Sequence, residues 1–198
     1  MKKENGKAKV LNKTEFNRVV KFQISTRHGL RNVLLLHLSF FLGLRSKEMA
    51  SLIIGDLMDV NGDLKEEVTL KRHQTKRRKQ RRFYITNDKL KKVLIQYLNT
   101  RKEIEGDLDL NATLIKNQMS GKFSSASLQQ CFKKMYESVG IDASSHSGRR
   151  SFCTNLSENG ISITNLQTLM GHQSISTTAL YINENPKILG KITASMSM

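Results

Sequence analysis

Cysteine, proline, acid and long apolar stretches are all scarce in this 198-residue chain, and each scarcity excludes something. The two cysteines, Cys131 and Cys153, both fall in apolar helical patterns with no second Cys at metal-ligand spacing. That excludes a zinc site and points to two buried free thiols in a reducing compartment. The longest apolar run, Val33–Leu42, is interrupted by His37 and Ser39 and is too short to span a bilayer; it reads as a buried core helix. The N-terminus is basic without the apolar stretch of a signal peptide. The single proline, Pro186, marks a break before a tail carrying Ile188, Leu189 and Ile192. No repeat and no interdomain linker is visible. Acid is the most telling shortage: 17 Asp and Glu stand against 33 Lys and Arg, a formal charge of +16. Such an excess calls for a polyanion, of which nucleic acid is the commonest. An anionic membrane surface is the alternative, but the basic residues do not lie on one amphipathic helix.

What is present is a normal share of apolar residues, 38%, with helical periodicity over most of the chain. Residues 1–13 are Lys-rich and aperiodic and are expected to form a basic, flexible arm. Thr14 is a plausible N-cap for a helix carrying Phe16, Val19, Val20 and Ile24. A second helix runs from about Leu30 to Leu42, stopped by Gly43, and Ser46 caps a third with Glu48, Met49, Leu52 and Ile53. Arg45 therefore sits at a junction between helices. Asn61-Gly62 is a turn signal between strands Leu57–Val60 and Glu66–Lys71, and Arg82–Thr86 alternates as a further strand. Between them lies KRHQTKRRKQRR, eight Lys or Arg in the twelve positions 71–82, a hairpin tip too charged to pack into a core. Helices follow from Asp88 to about Arg101 and from Ser124 or Ser127, and four short helical segments finish the domain. The expected class is mostly α with a small antiparallel β-sheet (α+β).

From His146 to Tyr181 the polar groups are few and spaced. His146 and Arg149 stand at i, i+3, on one helical face, a pairing that suits a phosphate. Individually the candidates read blandly: Arg45 as a capping arginine, Tyr181 as half-buried core, His172 as a helix start.

Taken in order, however, they resemble the catalytic domain of the tyrosine recombinases, the phage integrase and Xer-like family, over about residues 9–183. LGLRSKEMASLIIGDL is similar to the family's GLR-x-x-E box, which implies a catalytic Arg45 supported by Glu48. TKRRKQRRFYI is similar to its TK-x-x-K-x-R hairpin, which puts the catalytic lysine on Lys76, with Lys79 the nearest competitor. HSGR matches H-x-x-R, implying His146 and Arg149, and MGHQSISTTALY matches the final box, implying His172 and the nucleophile Tyr181. Gly148 stands where the family commonly has leucine, which is expected to loosen packing.

The resemblance implies a site-specific DNA recombinase working through a 3′-phosphotyrosyl ester, by integration, excision or inversion. The two guanidiniums would hold the non-bridging oxygens, His146 would accept the phenol proton, Lys76 would protonate the leaving 5′ oxygen, and His172 would buttress the phosphate. No cofactor and no metal is required. The expected partners are double-stranded DNA with paired sites, a homotetramer on that DNA, and accessory DNA-bending proteins; the expected setting is the bacterial or phage nucleoid in the cytoplasm, with no membrane. Lys71, Arg72, Arg77, Arg78, Lys79, Arg81, Arg82, Lys133 and Lys134 are the expected DNA-contacting cations. The resemblance implies an N-terminal core-binding domain that is missing here, so the chain is read either as a fragment or as a stand-alone catalytic domain like the short fimbrial-switch invertases, with 14–182 as catalytic domain and 183–198 as a tail expected to dock on a neighbouring protomer. The alternatives are a catalytically idle DNA-binding regulator of the same fold and a type IB topoisomerase-like nickase.

Overall fold

One helix, buried on nearly every side, organises the rest. The computed structural model describes residues 8–75 and 80–181. In it α2 (Gly29–Leu42) carries Val33, Leu34, Leu35, Leu36, Leu38 and Leu42 into the interior. A helix apolar on all faces must be surrounded, and α1 (Lys13–Ile24), α5 (Asp88–Glu105) and α7 (Ser147–Glu158) pack around it. The helix ends at Gly43, whose φ of +58° is the left-handed C-cap that a β-carbon disfavours. A β-carbon there would also lie 2.5 Å from the Phe152 ring. The chain then turns at once into α3 (Ser46–Ser51) and α4 (Ile54–Leu57).

Two strands follow, β1 (Glu67–Leu70) and β2 (Arg81–Tyr84), antiparallel with Val68 opposite Phe83. Beyond α5 the chain runs irregularly to α6 (Ser125–Glu137), capped by Ser124, and then through α7 to α8 (Ile163–Met170) and α9 (Ile175–Ala179). The main core joins α1, α2, the sheet, α5 and α6 through residues such as Phe16, Leu35, Phe83, Leu94 and Phe132. A second, small cluster holds Cys153, Leu166 and Met170, with Phe152, Leu156, Ile161 and Tyr181 against it. The two cysteines are free thiols on α6 and α7, and burial pushes Cys153 up to about 11. Among the described residues no helix is long and apolar enough to cross a membrane.

Several boundaries differ from the sequence reading. The cap of α1 is Asn12, not Thr14: Asn12 Oδ1 accepts the Glu15 N–H at 2.8 Å and Glu15 accepts that of Asn12 at 3.1 Å. Residues 8–13 are not a loose arm. Leu11 is buried and its N–H donates to Ser151 Oγ at 2.7 Å, while Arg150 donates to the Ala8 carbonyl at 2.7 Å; residues 1–7 lie outside the described residues. Leu57–Val60 is not a strand. The Asn61-Gly62 turn forms, but Asp59 Oδ1 accepts the N–H groups of Asn61 and Asp63, and only a single bridge, Met58 to Leu64, closes it. Helix α5 runs past Arg101 to Glu105, because the two pair at 2.8 Å across one helical turn. Of the four expected closing segments, α7, α8 and α9 lie among the described residues.

Gly148 tightens packing where loosening was expected. A β-carbon on it would stand 2.4 Å from Ser39 Oγ and 2.9 Å from Ser39 Cβ, so the glycine lets α7 cross α2 almost backbone to side chain. That crossing sets where Arg149, one residue further on, enters the interior. Gly148→Ala is therefore expected to cost about 1–3 kcal/mol through overpacking, read as a lowered midpoint in urea unfolding with an unchanged slope.

Candidate active site

The C-terminal ends of two helices face each other, and their unpaired carbonyls collect cations. The last turn of any helix leaves C=O groups without partners and carries the negative end of its dipole. At the end of α2, Leu42 and Gly43 present such carbonyls; at the end of α8, Leu169 and Met170 do the same. Arg149, the third residue of α7, donates from Nη1 to Gly43 O and from Nη2 to Met170 O. Arg81, the first residue of β2, donates from Nε to Leu169 O at 2.8 Å, from Nη2 to Leu42 O at 2.8 Å, and from Nη1 to Gly43 O at 3.4 Å. Both guanidiniums are thus stitched across the same gap.

The counter-ion is Glu48, whose side chain is wholly buried. It occupies the third position of α3, where a carboxylate can reach back to the N-cap residue. Its oxygens accept the Arg45 N–H at 2.8 Å, Arg45 Nη1 at 2.7 Å and Arg81 Nη1 at 2.6 Å. Burial alone would raise this carboxyl, but Arg81, then Arg149 and Arg45, outweigh it and hold it below the usual carboxylate value. Burial, then repulsion from Arg81 and Arg45, presses Arg149 well below the usual arginine value; Glu48 and Tyr181 act the other way. Three guanidiniums against one carboxylate, 3 − 1, leave a local charge of +2. A desolvated excess of that size is relieved by an anion.

On the rim, His172 Nε2 lies 3.1 Å from Arg149 Nη2 and His172 Nδ1 lies 3.0 Å from Thr178 Oγ1. A guanidinium can only donate, so Nε2 accepts and the Nδ1–H tautomer donates to the threonine. The imidazole stacks on Tyr181, with centroids 5.5 Å apart and planes 29° from parallel. Tyr181 is half-buried on the small cluster, not sealed in the interior. Arg45 is also half-buried, and His146, the N-cap residue of α7, is exposed. Among the described residues no group of three or more His, Cys, Asp or Glu is placed to hold a metal ion.

Arg45, Glu48, Arg149, His172 and Tyr181, read from separate motifs, therefore converge. Lys76, Arg77, Arg78 and Lys79 lie outside the described residues. Thr75, next to Lys76, is buried, its carbonyl accepting from Lys47 Nζ at 3.1 Å. Gln74 is buried too, donating to Asp56 at 2.6 Å, so the base of the hairpin does pack. Lys71, Arg72, Arg82, Lys133 and Lys134 are exposed.

Arg81 is the correction. The sequence places it among those surface cations, yet only 4% of it is exposed and its donors go to protein. Strand alternation carried the signal: 81, 83 and 85 share a face, and Phe83 and Ile85 are buried. Thr178, which fixes the His172 ring, had no sequence signal beyond its place in the last motif.

Fold and cradle together define a helical domain with a cationic seat for an anion and a phenol at its edge. The chain belongs to the phage integrase family, whose model matches residues 9–187. It is similar to the tyrosine recombinase XerA of Pyrococcus horikoshii, 32% identical over 170 residues that make up 86% of this chain and 56% of that one. It is also similar to XerC of Chlamydia pneumoniae, 28% identical over 173 residues, 83% of this chain and 51% of that one. The chain spans about half the length of these relatives. Among solved structures, the XerA recombinase superposes with a TM-score of 0.73 at 21% identity, covering 96% of this chain and 66% of that one. The Tn1549 transposon integrase in complex with circular intermediate DNA gives 0.73 at 17%, covering 98% and 69%. The mostly helical fold with a small antiparallel sheet is thus that of the tyrosine recombinases.

The depressed Glu48 carboxyl has a pH signature. Its stabilisation is fully present above the unfolded carboxylate value of about 4.3 and is lost as pH falls through the lower folded value. Glu48→Gln is expected to flatten the dependence of the urea midpoint on pH in that acid window. At neutral pH it should cost about 3–5 kcal/mol, since buried guanidiniums lose their counter-ion.

Proposed function

We propose that this domain breaks and rejoins DNA strands as a site-specific recombinase, with Tyr181 as nucleophile. The observation that carries this is the +2 seat built from Arg45, Arg81, Arg149 and Glu48 beside a phenol stacked on His172. A backbone phosphate brings one negative charge, and the phosphorane-like transition state brings a second. The seat therefore favours the transition state over the ground state, which is what accelerates a reaction.

The phenol oxygen of Tyr181 bonds to phosphorus as the P–O5′ bond breaks, giving a 3′-phosphotyrosyl ester and a free 5′-hydroxyl. Arg45 and Arg149 hold the non-bridging oxygens. His172 already accepts from Arg149, so it orients; His146, exposed at the start of α7, takes the phenol proton. Lys76 supplies the proton to the 5′ oxygen. Attack by the 5′-hydroxyl of a second duplex reverses the steps and completes the exchange, with no cofactor consumed.

Similarity to the Xer recombinases, and to XerH, whose structure is of a pre-cleavage complex with its difH substrate, supports double-stranded DNA as substrate. Exchange between two duplexes calls for several protomers held on paired sites, and the proposal takes these as a tetramer, helped by DNA-bending proteins, in a bacterial or phage nucleoid. Residues 183–198 would link protomers; like Lys76, they lie outside the described residues.

The test is a nicked suicide duplex built from inverted repeats flanking the gene. Wild-type chain is expected to give a covalent protein–DNA adduct on a denaturing gel, absent in Tyr181→Phe. Arg149→Ala should lower the rate of adduct formation by at least about a hundredfold, the scale of losing one preorganised donor. A mobility shift without adduct would instead indicate an idle regulator, and adduct without exchange between duplexes a nickase. In parallel, Arg72→Gln should reduce the slope of log K against log salt by about 0.9, one phosphate contact, in filter binding to plain duplex.

A further inference from the structure

Arg81 belongs to the seat but takes no part in the bond-making and proton-transfer steps just described, yet it is the most heavily bonded side chain at the site. Four of its five N–H groups are engaged: by Leu169 O, by Leu42 O, by Glu48 at 2.6 Å and by Gly43 O at 3.4 Å. It is almost fully buried, and its stem lies against Gly171, where a β-carbon would stand 2.9 Å from Arg81 Cδ. A buried side chain with a single N–H left over is poorly placed to hold a phosphate. Its place in the chain matters as much: it opens β2, the strand leading out of the basic hairpin.

We infer that Arg81 is a positioning residue that neutralises Glu48 and locks the hairpin to the phosphate seat. The reading rests on the proposed strand-cleavage function. The charge is divided accordingly. Arg81 and Glu48 form an inward, neutral pair, and the +2 that faces the phosphate is that of Arg45 and Arg149. Without Arg81, Glu48 would draw fully on Arg45 and pull that guanidinium away from the phosphate; the seat would fall to +1. The same side chain bridges the ends of α2 and α8. Arg149 spans those ends too, and His172 follows α8 by one residue past Gly171. Strand β2 therefore cannot shift without moving both Arg149 and His172. That gives a physical link between a hairpin gripping DNA and the groups that receive the phosphate.

The experiment compares full-length wild type, Arg81→Met, Glu48→Gln and the Arg81→Met/Glu48→Gln double variant for single-turnover adduct formation on the suicide duplex at saturating protein. Thermal unfolding and the salt dependence of duplex binding are measured beside it. Arg81→Met is expected to cleave at least about a hundredfold more slowly, with the salt slope unchanged because no phosphate contact is lost. Removing the stranded carboxylate in the double variant restores the seat to +2 and should recover at least about tenfold of that loss, a coupling of about 1.4 kcal/mol or more. A residue that merely stabilises the fold would show no such rescue. If Arg81→Met does not fold, the double variant, which strands no buried carboxylate, decides: folding with cleavage faster than Glu48→Gln alone supports the inference, and folding without cleavage overturns it. A salt slope lowered by about 0.9 in Arg81→Met would make it a DNA contact and overturn the inference. So would a double variant no faster than Arg81→Met. Wild-type chain that forms no adduct at all would instead reject strand cleavage, and the inference with it.

Discussion

One carboxylate facing three guanidiniums is the constraint on which the rest of this structure depends. Glu48 is wholly buried, and its two oxygens receive Arg45 twice, through backbone and side chain, and Arg81 once, with Arg149 close enough to act through space. These residues come from a helix junction, a strand and a late helix. Only a particular packing of α2, α3, β2 and α7 brings them together. A buried ion pair of this kind adds little net stability over a well-packed apolar replacement. Its use lies in fixing geometry and in leaving a defined charge unbalanced. The fold therefore keeps an electrostatic cost at its centre that a bound anion would relieve.

Helix ends make the arrangement tolerable. Two glycines in left-handed conformation, Gly43 and Gly171, stop α2 and α8 with their final carbonyls turned toward the same space. Arg81 and Arg149 satisfy those carbonyls and gain from the two dipoles. The close crossing of α2 and α7 at Ser39 and Gly148 sets the depth at which Arg149 enters. Tyr181 rests on a separate small cluster with Cys153, Leu166 and Met170. The phenol is thus carried by α7 and α8 outside the main core, coupled to the seat chiefly through His172, whose ring links Arg149, Thr178 and Tyr181.

Much of this was legible in the residues. The all-round apolar pattern of 33–42, the Gly43 stop, the Ser124 cap and the sheet between 66 and 86 follow from local preference and periodicity, and each is found within a few residues of its expected place. Where reading failed, a non-local or competing term had won. Asn12 with Glu15 made a better cap than Thr14. Asp59 bound the backbone of its own turn and left no strand at Leu57–Val60. The inner part of the N-terminal arm was ordered by Ser151 and Arg150, which lie about 140 residues away in sequence.

By itself the sequence determined the inventory: a strong positive excess, helical stripes with defined stops, and spaced Arg, His and Tyr motifs that point to one class of chemistry. Tertiary structure decided which cation does what. Arg72, Arg81 and Arg82 are alike in composition and near neighbours in the chain, yet Arg81 alone is turned inward by the strand's alternation and captured by Glu48 and the ends of two helices. Gly148 is equally ambiguous until α2 is seen against it. The physical reason is the same in both cases. A side chain's charge and size are local properties, but its burial, its partners and the field it feels are set by residues that only folding brings near.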